Sequence, residues 1–92
     1  MKLILCPECN DVVKLHTEAR ACRCGASVGR YMKDGMHASF QGKAVPLAID
    51  NESLSRAVRS YNGCADRKRE EVFQFIAFVV PPGAKRFKRG AA

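Results

Sequence analysis

Four of the five cysteines fall into two close pairs, Cys6-Pro7-Glu8-Cys9 and Cys22-Arg23-Cys24, with twelve residues between them. Structural zinc sites use thiolates in this way, four of them closing a tetrahedron at about 2.3 Å. Two cysteines two or three positions apart on a tight turn chelate a single ion. The twelve-residue spacer is long enough for a short β-hairpin that returns the second pair to the first. Pro7 stiffens the first turn, and Gly25 lets the backbone approach the sulfurs with no Cβ in the way. The pattern predicts one zinc ion held by Cys6, Cys9, Cys22 and Cys24. Cysteine fills all four positions, so the predicted site is closed and structural, not catalytic. It is expected to contribute folding free energy directly. The second pair has one intervening residue where two is the commoner spacing, and the same residues also admit disulfides or an iron–sulfur centre.

These residues resemble a zinc ribbon, a Cys-Pro-x-Cys knuckle followed by a Cys-x-Cys-Gly knuckle. More broadly, the chain looks like small uncharacterised bacterial and phage proteins. Those begin with such a ribbon, continue through an Asn-led helix and carry an Ala-Phe-Val-x-Pro-like strand near the end. The matching stretches here are Cys6–Gly25, Asn51–Ala57 and Ala77–Pro81. Ribbons serve in transcription, translation and replication proteins, as nucleic-acid contacts or as protein docking knobs. The resemblance thus implies a class of roles and no single one.

Other reactive residue types form no comparable set. Cys64 stands alone and reads as a small buried hydrophobe. His16 and His37 are surplus to a shell that four cysteines already complete. No nucleophile–base–orienter set and no glycine-rich phosphate loop is present, so an enzyme is not expected. Arg56 lies four residues after Glu52, a favourable helical pair that suits a solvated face. Arg67–Arg69 is followed at once by Glu70 and Glu71, as in a solubilising connector. The last nine residues differ. Lys85, Arg86, Lys88 and Arg89 surround Phe87 with no acid among them. That composition suits phosphate contact with base stacking, or a basic tail that keeps a sticky strand soluble.

The elements that must position the cysteines can be read from periodicity. Lys2–Leu5 and Asp11–His16 read as short strands, and Ser27–Lys33 as a third, ended by Asp34-Gly35. Met36–Phe40 and Lys43–Ile49 are expected to pair antiparallel around Gln41-Gly42, with Pro46 moving the second towards an edge. Glu52–Tyr61 reads as a helix capped by Asn51 and ended at Asn62-Gly63. Its apolar face is Leu54, Ala57, Val58 and Tyr61, expected to cover Phe73, Phe75 or their even-numbered neighbours. Val72–Val80 is apolar on both alternating faces and reads as a central strand covered on two sides. The expected architecture is α+β, a zinc ribbon over residues 1–26 on a small antiparallel sheet with one helix over 27–83. Residues 84–92 form a flexible basic tail.

Ninety-two residues make one domain, whose core is small enough to need a staple. A 47% hydrophobic content rules out wholesale disorder. The formal charge is +7, and four zinc-bound thiolates lower it by about two. The excess sits mainly in the second half, with nine basic residues against four acidic ones after residue 50. No secretory signal or membrane-length apolar run is visible, so the cysteines point to a reducing, cytoplasmic setting and to metal. The expectation is a nucleic-acid-binding accessory or regulatory protein, with Arg20, Arg23, Arg30, Lys85, Arg86, Lys88 and Arg89 on phosphates and Phe87 on bases. The alternative is a protein-interaction module docking on transcription machinery or another partner. A homodimer through Val72–Val80 is plausible under either, because a Phe-rich face needs a cover.

Overall fold

The computed structural model describes residues 1–64, 72–81 and 83–90. The charged run Arg67–Glu71 and the last two residues of the expected tail lie outside them. In chain order the elements are β1 (Lys2–Leu5), β2 (Val12–Lys14), β3 (Arg20–Ala21), β4 (Ser27–Tyr31), β5 (Ala38–Gly42) and β6 (Val45–Ile49). Helix α1 (Asn51–Gly63), β7 (Ala77–Val79) and β8 (Phe87–Arg89) follow. The class is α+β, as expected.

The strands form two sheets. The first has the order β2-β1-β6-β7 and is antiparallel throughout; the second has the order β3-β4-β5-β8, in which β5 and β8 run parallel. The core lies between them. Ile4 from the first sheet and Ala38, Phe40 and Phe87 from the second join Leu15, Ala44 and Val80. Gly29 in β4 makes the close approach possible. A Cβ there would stand 2.8 Å from Leu15 Cδ2 and 3.4 Å from Ile4 Cδ1. Phe40 and Phe87 meet edge to face at 5.2 Å between ring centroids, the geometry aromatic quadrupoles favour.

Four sequence expectations are corrected. First, β5 and β6 do not pair; Gly42 sends the chain from the second sheet to the first. Its φ of +75° and a would-be Cβ only 2.1 Å from the Ala26 carbonyl oxygen make glycine obligatory there. Pro46 therefore sits in an inner strand, opposite Ile4. Its carbonyl accepts the Val80 N–H at 2.9 Å. The donor that proline lacks would face the same side, just past the end of the β6–β7 ladder, so little is lost.

Second, Val72–Val80 is no central strand. Only Ala77–Val79 is paired, at the end of its sheet, and all three residues are exposed. Third, Ala84–Gly90 is not a loose tail. Phe87–Arg89 is β8, anchored by Phe87 in the core. Fourth, the helix is capped by Asp50, whose carboxylate accepts the Ser53 N–H at 3.3 Å. Asn51 lies one step inside, and its side chain accepts from the Met1 amino group. The helix does face the predicted segment, with Tyr61 edge-on to Phe73 at 5.8 Å.

Candidate functional site

Two hairpins, one from each sheet, meet at the cysteines. Cys6 and Cys9 lie in the β1–β2 connection of the first sheet, and Cys22 and Cys24 in the β3–β4 connection of the second. Each connection is a tight turn built on a positive-φ residue. In the first, the Asn10 N–H reaches the Cys6 carbonyl at 2.7 Å and the Cys6 N–H reaches the Asp11 carbonyl at 2.9 Å, with Asn10 at φ 59°. In the second, the Gly25 N–H reaches the Cys22 carbonyl at 3.1 Å, with Gly25 at φ 82°. These folds aim both thiols of each pair at one point.

All four sulfurs lie within 4.8 Å of one another. Cys6 Sγ is 3.7 Å from Cys24 Sγ, and Cys22 Sγ is 3.6 Å from Cys24 Sγ. A tetrahedral ion with bonds of about 2.3 Å sets its ligands roughly 3.8 Å apart. A disulfide needs about 2.05 Å. The spacing is therefore that of four ligands around one ion. Cys6 and Cys22 are buried, Cys9 is half-buried and Cys24 is exposed.

The electrostatics ask for a cation. The Ser27 hydroxyl, more than any other group, brings the Cys6 thiol down to about 6, helped by the Cys9 and Glu8 amides and opposed by burial. That hydroxyl is buried and has no conventional hydrogen-bond partner, so a metal-bound thiolate suits it as an acceptor. Burial tends to raise Cys22, but the Ser27 N–H, 3.3 Å from its sulfur, helps hold it below the usual range. Cys24 goes the other way. The Ala26 amide favours its thiolate, yet burial and the three neighbouring sulfurs push it up to about 12. The cluster readily loses a first proton and resists losing the last. A bound cation removes that resistance.

Three further residues tie the knuckles together and carry no signature that spacing alone would reveal. Asp11 accepts the Arg23 N–H at 2.9 Å, joining the two turns. Ser27 serves Cys22 and Cys6 at once. Lys43 donates its N–H to Ala26 beside the second knuckle and its ammonium to Glu8 in the first, at 2.5 Å.

The basic residues singled out from sequence do not converge on one place. Arg30 and Lys88 flank Ser39 in a single ladder row, on the solvent side of the second sheet. Arg20 pairs with Gly29 and so belongs to the other face, at the sheet's edge. Arg23 is exposed on the second knuckle, and Lys85 and Arg86 are exposed in the turn entering β8. One expected contact is corrected. Phe87 is 6% exposed and packs on Phe40, so its ring is not free to stack on a base. Arg89 lies over the Phe40 ring and donates to the Gly42 and Ala44 carbonyls, at 2.6 and 3.1 Å. It remains exposed while it ties β8 to the end of β5.

Among the described residues no helix is long and apolar enough to cross a membrane. The chain matches no known family model, no curated protein and no solved structure.

Proposed function

We propose that this protein is a zinc-stabilised nucleic-acid-binding accessory or regulatory factor, with no chemistry of its own. Zinc is the ion read here because a closed shell of four thiolates suits a divalent ion that needs no open position and no redox change. The two knuckles are then those of a zinc ribbon. Free thiols of this kind belong in a reducing, cytoplasmic setting.

The observation that carries the nucleic-acid reading is the row Arg30–Ser39–Lys88 across the outer face of the second sheet. Arg30 and Lys88 are the basic side chains on that outer face, and the strands of the sheet hold no acidic one. Arg23 on the knuckle and Lys85 and Arg86 beside β8 are exposed outside that row. Phosphates spaced along a strand are bound by such a row, with salt-dependent affinity and little sequence preference. The test is binding of zinc-loaded protein to short single- and double-stranded DNA and RNA across a salt series. Arg30→Glu with Lys88→Glu should lower affinity at least on the order of tenfold and flatten the salt slope by about two ions. Affinity and slope unchanged by the pair would end the reading. Removing residues 84–92 is no clean test, because it takes Phe87 out of the core. Docking on a protein partner is a second reading, favoured by a different surface, the apolar outer face of the first sheet.

A further inference from the structure

Ten large apolar side chains are exposed among the described residues, and all but Met32 and Met36 lie on the first sheet, the helix or residues 72–76. Two grooves gather all of these eight but Ile76. One runs along the helix, where Val58 and Tyr61 face Val72 and Phe73. The other crosses the outer face of the first sheet over Val12, Leu47 and Val79. Phe75 lines both, so the surface is continuous. The largest apolar patch of a typical monomer is about 300–600 Å². Six of the eight, about half exposed, leave roughly 600 Å² on this surface; Ile76 and Phe78 alternate to the Ile4 side of the sheet.

An open strand edge runs through this surface. β7 ends its sheet and has no second neighbour among the described residues. Phe78 and Val79 are 50% and 63% exposed. Residues 72–80 contain no charge and no proline, the devices that usually blunt an edge. The Val80 N–H goes to Pro46 and the Ile76 carbonyl to Asp50. By alternation, Ala77 and Val79 turn their N–H and C=O groups to the open side.

We propose that two copies of this chain pair through β7, edge to edge and antiparallel, with Phe75 and the helix groove closing over the seam. Three observations favour a second copy as the occupant. An antiparallel contact between identical strands is self-complementary and closes as a twofold dimer. Two such faces bury about 1,200 Å² together, the low end of specific interfaces. The charge also permits it: the one charged side chain on the outer-face ladder of the first sheet is Lys14 in β2, at the far edge from β7. Antiparallel pairing through β7 therefore keeps the two Lys14 side chains apart. This inference does not depend on the nucleic-acid reading.

The test is sedimentation equilibrium of the zinc-loaded full chain from micromolar to submillimolar concentration. A dimer is expected. Val79→Pro removes an N–H aimed at the open side and none that β6 uses, and Val79→Lys places a charge in the seam. Each should weaken the dimer at least on the order of a hundredfold while zinc content and monomer melting are kept. Gln41→Lys, on the outer face of the second sheet, should leave the dimer unchanged. A zinc-loaded monomer at the highest concentration overturns the proposal, as does a dimer that survives both Val79 variants or breaks with Gln41→Lys. Should the Val79 variants lose zinc, hydrogen exchange of the intact protein decides. Protection of the Ala77 and Val79 amides that rises with concentration supports β7 pairing, and protection independent of concentration overturns it.

Discussion

The two sheets share one core and one candidate metal centre, yet their outer faces are opposites. The second sheet shows water Gln41, Ser39, Arg30 and Lys88. The first shows Val12, Leu47, Ala77 and Val79. Within one small chain these faces have different solvents in view. The polar face suits water as it stands, whereas exposed apolar patches mark interaction sites. The difference also explains why strands of similar length differ in legibility. Alternation marks a strand with one wet face, and it fades where both faces are apolar.

What keeps two such sheets in register is the joint between their hairpins, so the largest effect should come from breaking it. Each sheet supplies two of the four sulfurs. Ions held by four thiolates carry an apparent binding free energy of about 10–16 kcal/mol near neutral pH in small zinc domains. Chelation under denaturing conditions should therefore prevent refolding, followed by far-UV circular dichroism. Cys22→Ser should do the same, and protein purified without added metal should contain about one zinc per chain by elemental analysis. Acid should act in the same direction, because protons compete with the ion for thiolates. A chain that refolds metal-free, or that carries iron with visible absorbance, would sink both the zinc assignment and the idea of a joint.

The next effect separates the inside of the second sheet from its outside within one strand. Phe87 and Lys88 are neighbours in β8, one buried in the core and one exposed. Phe87→Ala should cost about 3–5 kcal/mol through lost burial and the cavity left against Phe40. Lys88→Ala should stay within about 0.5 kcal/mol. Urea titrations of both variants check the pair. Equal effects would mean that β8 is not docked as described. Gly42→Ala tests the crossing between the sheets. With φ at +75° and the Ala26 carbonyl in the way, it should lose about 2–3 kcal/mol, and a loss under about 1 kcal/mol would show that the crossing can shift freely.

How much of this could be read from the sequence follows the same division. The cysteine set was legible, because ligand type and spacing are local. So were β1, β2, β4 and the helix, each with clear periodicity or turn residues. Val72–Val80 was misread because unbroken apolarity means a buried strand only if something buries it, and composition does not say what does. β8 was missed for the opposite reason. One phenylalanine among four basic residues looks solvated, and its parallel pairing with β5 is a contact about fifty positions apart in sequence. The split into two sheets turns on Gly42, whose necessity lies in a backbone approach from Ala26 that no local pattern displays. Asp50 and Asn51 are both good caps, and adjacent candidates are separated only by where the helix starts.

The smallest expected effect sharpens the comparison at the joint itself. Lys43 touches both knuckles, one through its backbone and one through its ammonium. The Glu8 carboxylate, by hydrogen bond and by charge, holds Lys43 above its ordinary value of 10.5, and Lys43 in turn holds Glu8 below 4.5. A raised lysine stabilises the fold fully below 10.5 and loses that contribution as pH rises through the folded value. A depressed carboxylate keeps its contribution above 4.5 and loses it as pH falls. The pair should thus act at full strength across the neutral range. Both side chains are more than half exposed, so the gain is small and screened by salt. Lys43→Gln should lower the melting temperature slightly at pH 7 and low salt. The gap should narrow in about 1 M salt and close as pH is raised past 10.5. A gap that persists at high salt and high pH would place the role of Lys43 in its stem's packing against the knuckles and not in its charge.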